Sequence, residues 1–268
     1  MPHTSPPALK VVTSNRAETV ISTENFSAWF GENCVLSGIN SAISKGRITC
    51  IVGPSGSGKS TFLRSLNRIN DDVAGFRMQG TLSVNGLDLT SDNTDLTRLR
   101  SQVGMVFQKP CVFPRSIKEN VLFGVRGQKM SRLDKNKLVE DSLRSAALWN
   151  EVSTRLDQPA TTLSLGQQQR LCIARALAVK PDILLLDEPT ASVDPVSARA
   201  IEALILMLRN TYTIIMVTHD IRQTRRIADD VLFFCDGSLI ENGTSDFMFS
   251  KDCTERSRVY LNEEFCDC

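Results

Sequence analysis

The sequence predicts an α/β fold built on a mainly parallel sheet, and three observations carry that expectation. "RITCIVG" (47–53) is a compact β-rich run that feeds straight into glycines, the frame in which a strand meets a phosphate-binding turn. From residue 163 onward, helix-like and strand-like segments alternate, as they do where crossover helices join parallel strands. Between these two stretches, residues 115–160 show helical spacing with little β-branched density, which reads as a helical insert.

In chain order, residues 1–15 carry Pro2, Pro6 and Pro7 among small polar residues and read as a flexible leader. Residues 20–52 alternate short β-rich runs with turn residues and end in the strand 47–53. A helix is expected over 59–68, then two strands, "TLSVNG" (81–86) and "VGMVF" (103–107), ahead of the insert. The next helix, 166–179, has a marked start: Ser164 stands three residues before Gln167, just ahead of an apolar rhythm at Leu171, Ala174 and Leu177, the pattern of a capping box. Gly166 falls in its first turn, where Gly is less favourable than Ala by roughly 0.8–1.0 kcal/mol in a helix interior; the missing side chain suggests backbone N–H groups open to an anion. Then follow the strand "DILLLD" (182–187), a helix 195–208, the strand "YTIIMVTH" (212–219), a helix 220–228 and a hairpin "VLFFCDGSLIE" (231–241) turning at Asp236-Gly237. No internal repeat or low-complexity tract is present in the sequence.

With 268 residues, 41% of them hydrophobic and 23% charged, the chain can bury the core of one large or two modest domains. A formal net charge of +1 gives no support for a polyanion-binding surface, although a total does not exclude local patches, so nucleic acid is not the first expected partner, and the run Arg222, Arg225 and Arg226 reads as a solvated helix face. The first residues hold no apolar core of signal-peptide length, and no apolar run has the length of a spanning helix, so the expected place is the cytosol. The eight cysteines, Cys34, Cys50, Cys111, Cys172, Cys235, Cys253, Cys266 and Cys268, form no C-x-x-C pair and read as reduced structural thiols. Cys266 and Cys268 make at most half of a zinc site on a chain end, so no metal is expected there.

The chemistry is concentrated in a few places. "GPSGSGKS" (53–60) matches G-x-x-x-x-G-K-[ST] in full, after a strand and before a helix. Gly53, Pro54, Ser55, Gly56, Ser57 and Gly58 would wrap phosphates with backbone N–H groups, Lys59 would reach the β and γ phosphates, and Ser60, followed by Thr61, would hold Mg²⁺. "ILLLDE" (183–188) is an apolar strand ending in two carboxylates, which suits Asp187 to Mg²⁺ and Glu188 to polarising an attacking water. By itself that ending is common and means only a helix cap; beside a phosphate loop it gains meaning. His219 and Gln108 each end a strand. Each reads either as a hydrogen-bonded structural residue or as a group at the γ phosphate. A GTPase is not expected, because "NKLV" (136–139) lacks the final Asp of N-K-x-D.

Taken in order, these motifs resemble the nucleotide-binding domains of ABC (ATP-binding cassette) transporters over roughly residues 18–250. "WFG" (29–31) resembles the adenine-stacking loop, 53–61 the Walker A loop, Gln108 the Q-loop, "LSLGQ" (163–167) the signature, 183–188 Walker B, "SVD" (192–194) the D-loop and His219 the switch histidine. The resemblance implies a P-loop NTPase cassette: a mainly parallel sheet core, an antiparallel β subdomain and a helical subdomain at about 115–180, all within 16–250, with 251–268 a C-terminal tail. It also implies that Phe30, rather than Trp29, stacks on adenine, and that Glu188 is the catalytic carboxylate, assisted by His219, Lys59 and Gln108. Mg²⁺ would be held by Ser60, Gln108 and Asp187. Two copies would assemble head to tail, with Ser164, Gly166 and Gln167 of one closing on the ATP of the other and Asp194 crossing the same interface.

Closer stretches, "LNRIND" (66–71), 103–121, "AALWNEV" (146–152), 166–181 and 212–229, resemble the ATP-binding subunits of bacterial phosphate importers, the Pst type. That implies import of inorganic phosphate, driven through two membrane permease subunits fed by a periplasmic phosphate-binding protein, with this chain on the cytoplasmic face of the inner membrane. The segment "KPCVFPRSIKENV" (109–121) and the helical insert would receive the permeases. The sequence departs from the usual pattern at Leu165, where the signature has Gly, at Cys111 and Val112, where Asn and Pro are usual, at Asp220, where Asn is usual, and in the tail "NEEFCDC". Leu165 would either crowd the approaching nucleotide, lowering hydrolysis, or point harmlessly outward. Transport of another solute, a DNA-repair or translation ATPase, and a regulatory module of weak hydrolysis are the alternatives.

Overall fold

The computed structural model describes residues 18–262; the leader 1–15 and the Cys266/Cys268 tail lie outside the described residues. The chain begins with a long hairpin, β1 (Thr19–Phe30) and β2 (Asn33–Ser44). It then sends β3 (Ile48–Val52) into a second sheet before β4 (Phe76–Val84) and β5 (Leu87–Asp88) return to the first. That first sheet is wholly antiparallel, in the order β2-β1-β4-β5.

The second sheet supplies the core. Its strands are β3, β6 (Val103–Val106), β7 (Ile183–Asp187), β8 (Thr213–Val217), β9 (Asp230–Cys235) and β10 (Ser238–Thr244), in the order β10-β9-β3-β8-β7-β6. All neighbours are parallel except the β9–β10 hairpin. In β3, β7 and β8 every residue is buried, which is why ITCIV, ILLLD and TIIMV read as near-continuous apolar runs rather than alternating ones. The β9–β10 turn falls on Asp236 and Gly237, both at positive φ, as the Asp-Gly signal predicts.

The helices are α1 (Lys59–Ser65), α2 (Leu96–Gln102), α3 (Ile117–Val121), α4 (Arg132–Ser145), α5 (Trp149–Val152), α6 (Leu165–Leu177), α7 (Pro195–Leu208), α8 (Ile221–Ile227), α9 (Ser245–Met248) and α10 (Glu255–Leu261). The helix expected over 59–68 stops at Ser65. Asn70 turns its amide onto the carbonyl of Thr61, and Arg68 sits at φ 58° while its guanidinium reaches Asp71 and the carbonyls of Leu89 and Ser91. The expected helical insert is present as α3 to α5.

Two apolar cores flank the parallel sheet. One joins it to α6, α7 and the helices of the insert. The other lies between the two sheets, where Phe62 of α1 packs edge-on to Phe26 at 6.3 Å and against Phe234 at 5.2 Å between ring centroids. Each such ring contributes about 1.5–3 kcal/mol of burial. Phe62, Leu63 and Leu66 thereby fix α1 between the sheets, so that its N-terminus faces the carboxyl ends of β3, β7 and β8.

Candidate functional site

The turn between β3 and α1 is shaped by contacts that leave no room for side chains. Gly53 adopts φ 147°, and a Cβ there would lie 2.0 Å from the carbonyl oxygen of Phe234, so glycine is required. Pro54, Ser55, Gly56, Ser57 and Gly58 complete the turn, with Ser57 N–H donating to the carbonyl of Pro54 at 3.3 Å. The hydroxyl of Ser57 is buried with no hydrogen-bond partner, an orphan polar atom in the place where a phosphate oxygen is expected. Lys59 is 7% exposed, and its Nζ donates to the carbonyls of Gly53 at 2.7 Å and Pro54 at 2.6 Å. Burial pushes its pKa down, opposed by the charges of Glu188 and Asp187.

Opposite the turn, β7 delivers its terminal carboxylate. Asp187 is 2% exposed; Ser60 Oγ donates to its Oδ1 at 2.8 Å, and Arg64 donates to its Oδ2 from Nε at 3.1 Å and Nη2 at 2.9 Å. A hydroxyl and a carboxylate in contact are hard oxygen donors of the kind Mg²⁺ selects, so these residues fit that ion. Thr61 contributes its carbonyl to Ser65 and Asn70, which holds the first turn of α1 in shape.

Glu188, one residue on, sits at φ 46°, a left-handed backbone that L-residues adopt at a cost. Its N–H is held by the carbonyl of Val217 at 3.0 Å, and its Oε2 accepts from Gln108 Nε2 at 3.1 Å and lies 3.2 Å from His219 Nδ1. Three parallel strands, β6, β7 and β8, therefore bring Gln108, Glu188 and His219 together at their carboxyl ends, where open α/β sheets place ligands. A cleft of 390 Å³ opens beside Glu188 and His219, walled by α7 and α8.

The other predicted residues lie apart from this cluster. Ser164 caps α6 with the expected reciprocal box: its hydroxyl accepts from Gln167 N–H at 3.3 Å and its own N–H donates to Gln167 Oε1 at 3.1 Å. Gly166 is buried and packs on α7. A Cβ there would stand 2.5 Å from that of Ser197. Leu165 occupies the first helical position without a positive φ and is 55% exposed. Asp194 caps α7, accepting from the N–H groups of Val196 and Ser197 at 3.0 Å each. Hydrogen bonds from Ser197 hold its carboxyl below the usual range. Phe30 packs on Phe76 at 5.1 Å near the tip of the first hairpin, and Trp29 carries Arg77 over its ring at 4.2 Å.

Two participants were missed from the sequence. Arg64 was legible only as the residue one turn beyond Ser60 on the same helix. Gln169 donates from Nε2 to the carbonyl of Phe107 at 3.0 Å, fixing the backbone just before Gln108. Its signal was a buried-face position on α6, where a polar residue needs a partner.

Comparison with known proteins agrees with this geometry. The family described as "ABC transporter" matches residues 36–191. The chain is 48% identical over 250 residues to the Phosphate import ATP-binding protein PstB of Thermotoga maritima, covering 92% of this chain and 97% of that protein. It is 43% identical over 252 residues to Phosphate import ATP-binding protein PstB 2 of Shouchella clausii, covering 94% and 93%. Among solved structures, cbiO1 from Clostridium perfringens, part of the ABC transporter complex cbiONQ, matches with a TM-score of 0.76 at 28% identity over 92% of this chain and 99% of that one. The dimeric ATP-binding cassette MJ0796, in a post-hydrolysis state bound to ADP and Pi, matches with a TM-score of 0.71 at 30% identity over 84% and 98%.

Proposed function

The chain belongs to the ATP-binding family of ABC transporters, and from that premise we propose that it is the ATP-hydrolysing subunit powering inorganic phosphate import. The observation that carries the chemistry is the convergence of Gln108 and His219 on Glu188 beside the turn that holds Lys59 and Ser60. The phosphate assignment is supported by the two PstB relatives, each aligned over more than nine-tenths of this chain.

In this reading ATP lies with its phosphates in the 53–61 turn and its adenine on Phe30. Lys59 exchanges its two carbonyl acceptors for β and γ oxygens, to which its buried ammonium donates and whose negative charge offsets its desolvation. Ser60, Asp187 and Gln108 would hold Mg²⁺, which would supply charge neutralisation of the transferring phosphoryl group. Glu188 accepts a hydrogen bond from the attacking water and orients it in line with the γ phosphorus. His219 and Gln108 fix the carboxylate through the oxygen they share.

A second copy completes the site: Ser164, Gly166 and Gln167 at the N-terminus of its α6 face the γ phosphate, and Asp194 lies at the joint. The dimeric cassette among the structural matches supports that arrangement. Residues 16–250 form the ATP-binding unit, with its helical portion at about 115–180 and the segment 109–121 receiving the two permeases. Phe113 and Phe123, with ring centroids 4.1 Å apart, offer an aromatic surface there. No helix among the described residues is long and apolar enough to cross a membrane, which suits a peripheral subunit on the cytoplasmic face. The periplasmic phosphate-binding protein is an indirect partner.

The test is uptake of labelled phosphate by cells lacking their own importer ATPase. Wild-type chain restores uptake and Glu188→Gln does not, while purified Glu188→Gln doubles its light-scattering mass with Mg·ATP. Failure of the wild type to restore uptake refutes the phosphate assignment. A mass that stays unchanged with Mg·ATP refutes the shared site.

A further inference from the structure

We propose that Arg64 is a positioning residue that stands in for the divalent cation, holding Asp187 in its working orientation until the metal arrives. The inference rests on the reading that Ser60 and Asp187 hold Mg²⁺. Ser60 and Arg64 are four residues apart on α1, so one helix face presents both side chains to one carboxylate. They divide its oxygens between them: Ser60 takes Oδ1 at 2.8 Å, and Arg64 takes Oδ2 with two hydrogen bonds at 3.1 and 2.9 Å. The Oδ1 side is thereby kept turned toward the hydroxyl with which it would share the ion, and the two-point grip of the guanidinium fixes the carboxylate plane.

Burial makes the partner necessary. The Asp187 side chain is 3% exposed, whereas that of Arg64 is 41% exposed, so the carboxylate carries most of the desolvation penalty. Lys59 relieves it only through space and not by a hydrogen bond, since its Nζ bonds the carbonyls of Gly53 and Pro54. A doubly charged ion held by Ser60 and Asp187 would supply the neutralising charge by another route. The contribution of Arg64 to stability is then greatest without metal and smallest with it.

That linkage separates the inference from a merely structural role, which would act equally in both states. Thermal midpoints are measured for wild type and Arg64→Met in ADP with EDTA and in ADP with Mg²⁺. Arg64→Met, which keeps an apolar stem, lowers the midpoint by roughly 5 °C in EDTA, and the deficit falls to less than about half of that with Mg²⁺. In an Asp187→Asn background the EDTA deficit disappears. Arg64→Lys keeps the charge without the fork and falls between the two, which keeps the test decisive should Arg64→Met fail to fold. Equal deficits with and without Mg²⁺, or a deficit that survives Asp187→Asn, overturn the proposal. A wild type whose midpoint Mg²⁺ does not raise above ADP alone overturns the metal assignment itself, a result distinct from a failure of Arg64.

Discussion

Replacing Gly166 by alanine tests whether the glycine of the signature is there for packing. The added methyl would lie 2.2 Å from Ser197 Oγ and 2.5 Å from Ser197 Cβ. The hydroxyl can rotate away, but the Cβ cannot, so α6 and α7 must part by about 1 Å to restore an ordinary carbon–carbon contact. Overpacking of this kind costs about 1–3 kcal/mol, and the better helix propensity of alanine returns up to about 1 kcal/mol. The net expectation for Gly166→Ala is a loss of about 1 kcal/mol, measured by urea unfolding. In a Ser197→Gly background the clash is gone and only the propensity remains, so the same substitution becomes stabilising by up to about 1 kcal/mol. A change of sign between backgrounds is therefore the readout. Gly166→Ala that stabilises the wild type, or acts alike in both backgrounds, would refute the packing account.

Two further expectations concern the same end of the molecule. Leu165→Gly removes an exposed side chain from the surface that in the proposed dimer would meet the partner's nucleotide, so ATP turnover rises while stability of the isolated chain falls by up to about 1 kcal/mol; an unchanged turnover in a steady-state assay would show that Leu165 does not crowd the nucleotide. Asp194 has a carboxyl pKa held below its unfolded value by Ser197, so its stabilisation is full above the unfolded pKa and is lost as pH falls through the folded one. Asp194→Asn keeps a cap without a titrating group, so the acid side of the pH–stability curve becomes flatter than in wild type when followed by circular dichroism.

The parallel core was legible in the sequence because buried strands announce themselves as short apolar runs closed by turn residues, as in ILLLD before Glu188. The capping box at Ser164 was legible because both of its partners lie within one turn of chain. Gln108, Glu188 and His219 could each be picked out as strand-end polar residues, but their meeting depends on strand order, which only the motif order suggested. What stayed hidden were contacts between residues far apart in sequence. The Arg64–Asp187 pair spans 123 positions, and the Gly166–Ser197 contact depends on how two helices cross. The early end of α1 was hidden for a related reason, since Arg68 and Asn70 are held by backbone groups of neighbouring segments.

The left-handed backbone of Glu188 bears on how the protein fails in a cell. A residue held in that region costs on the order of 1–3 kcal/mol, and glycine there would be free of the penalty. A chain with Glu188→Gly therefore recovers part of that cost while it loses the carboxylate and its contacts with Gln108 and His219. Such a chain would persist and, in the proposed assembly, would pair with normal copies and hold permeases without turning over. Loss of function at this one position would be dominant, whereas damage to the buried strands around it would be removed by quality control and behave as recessive.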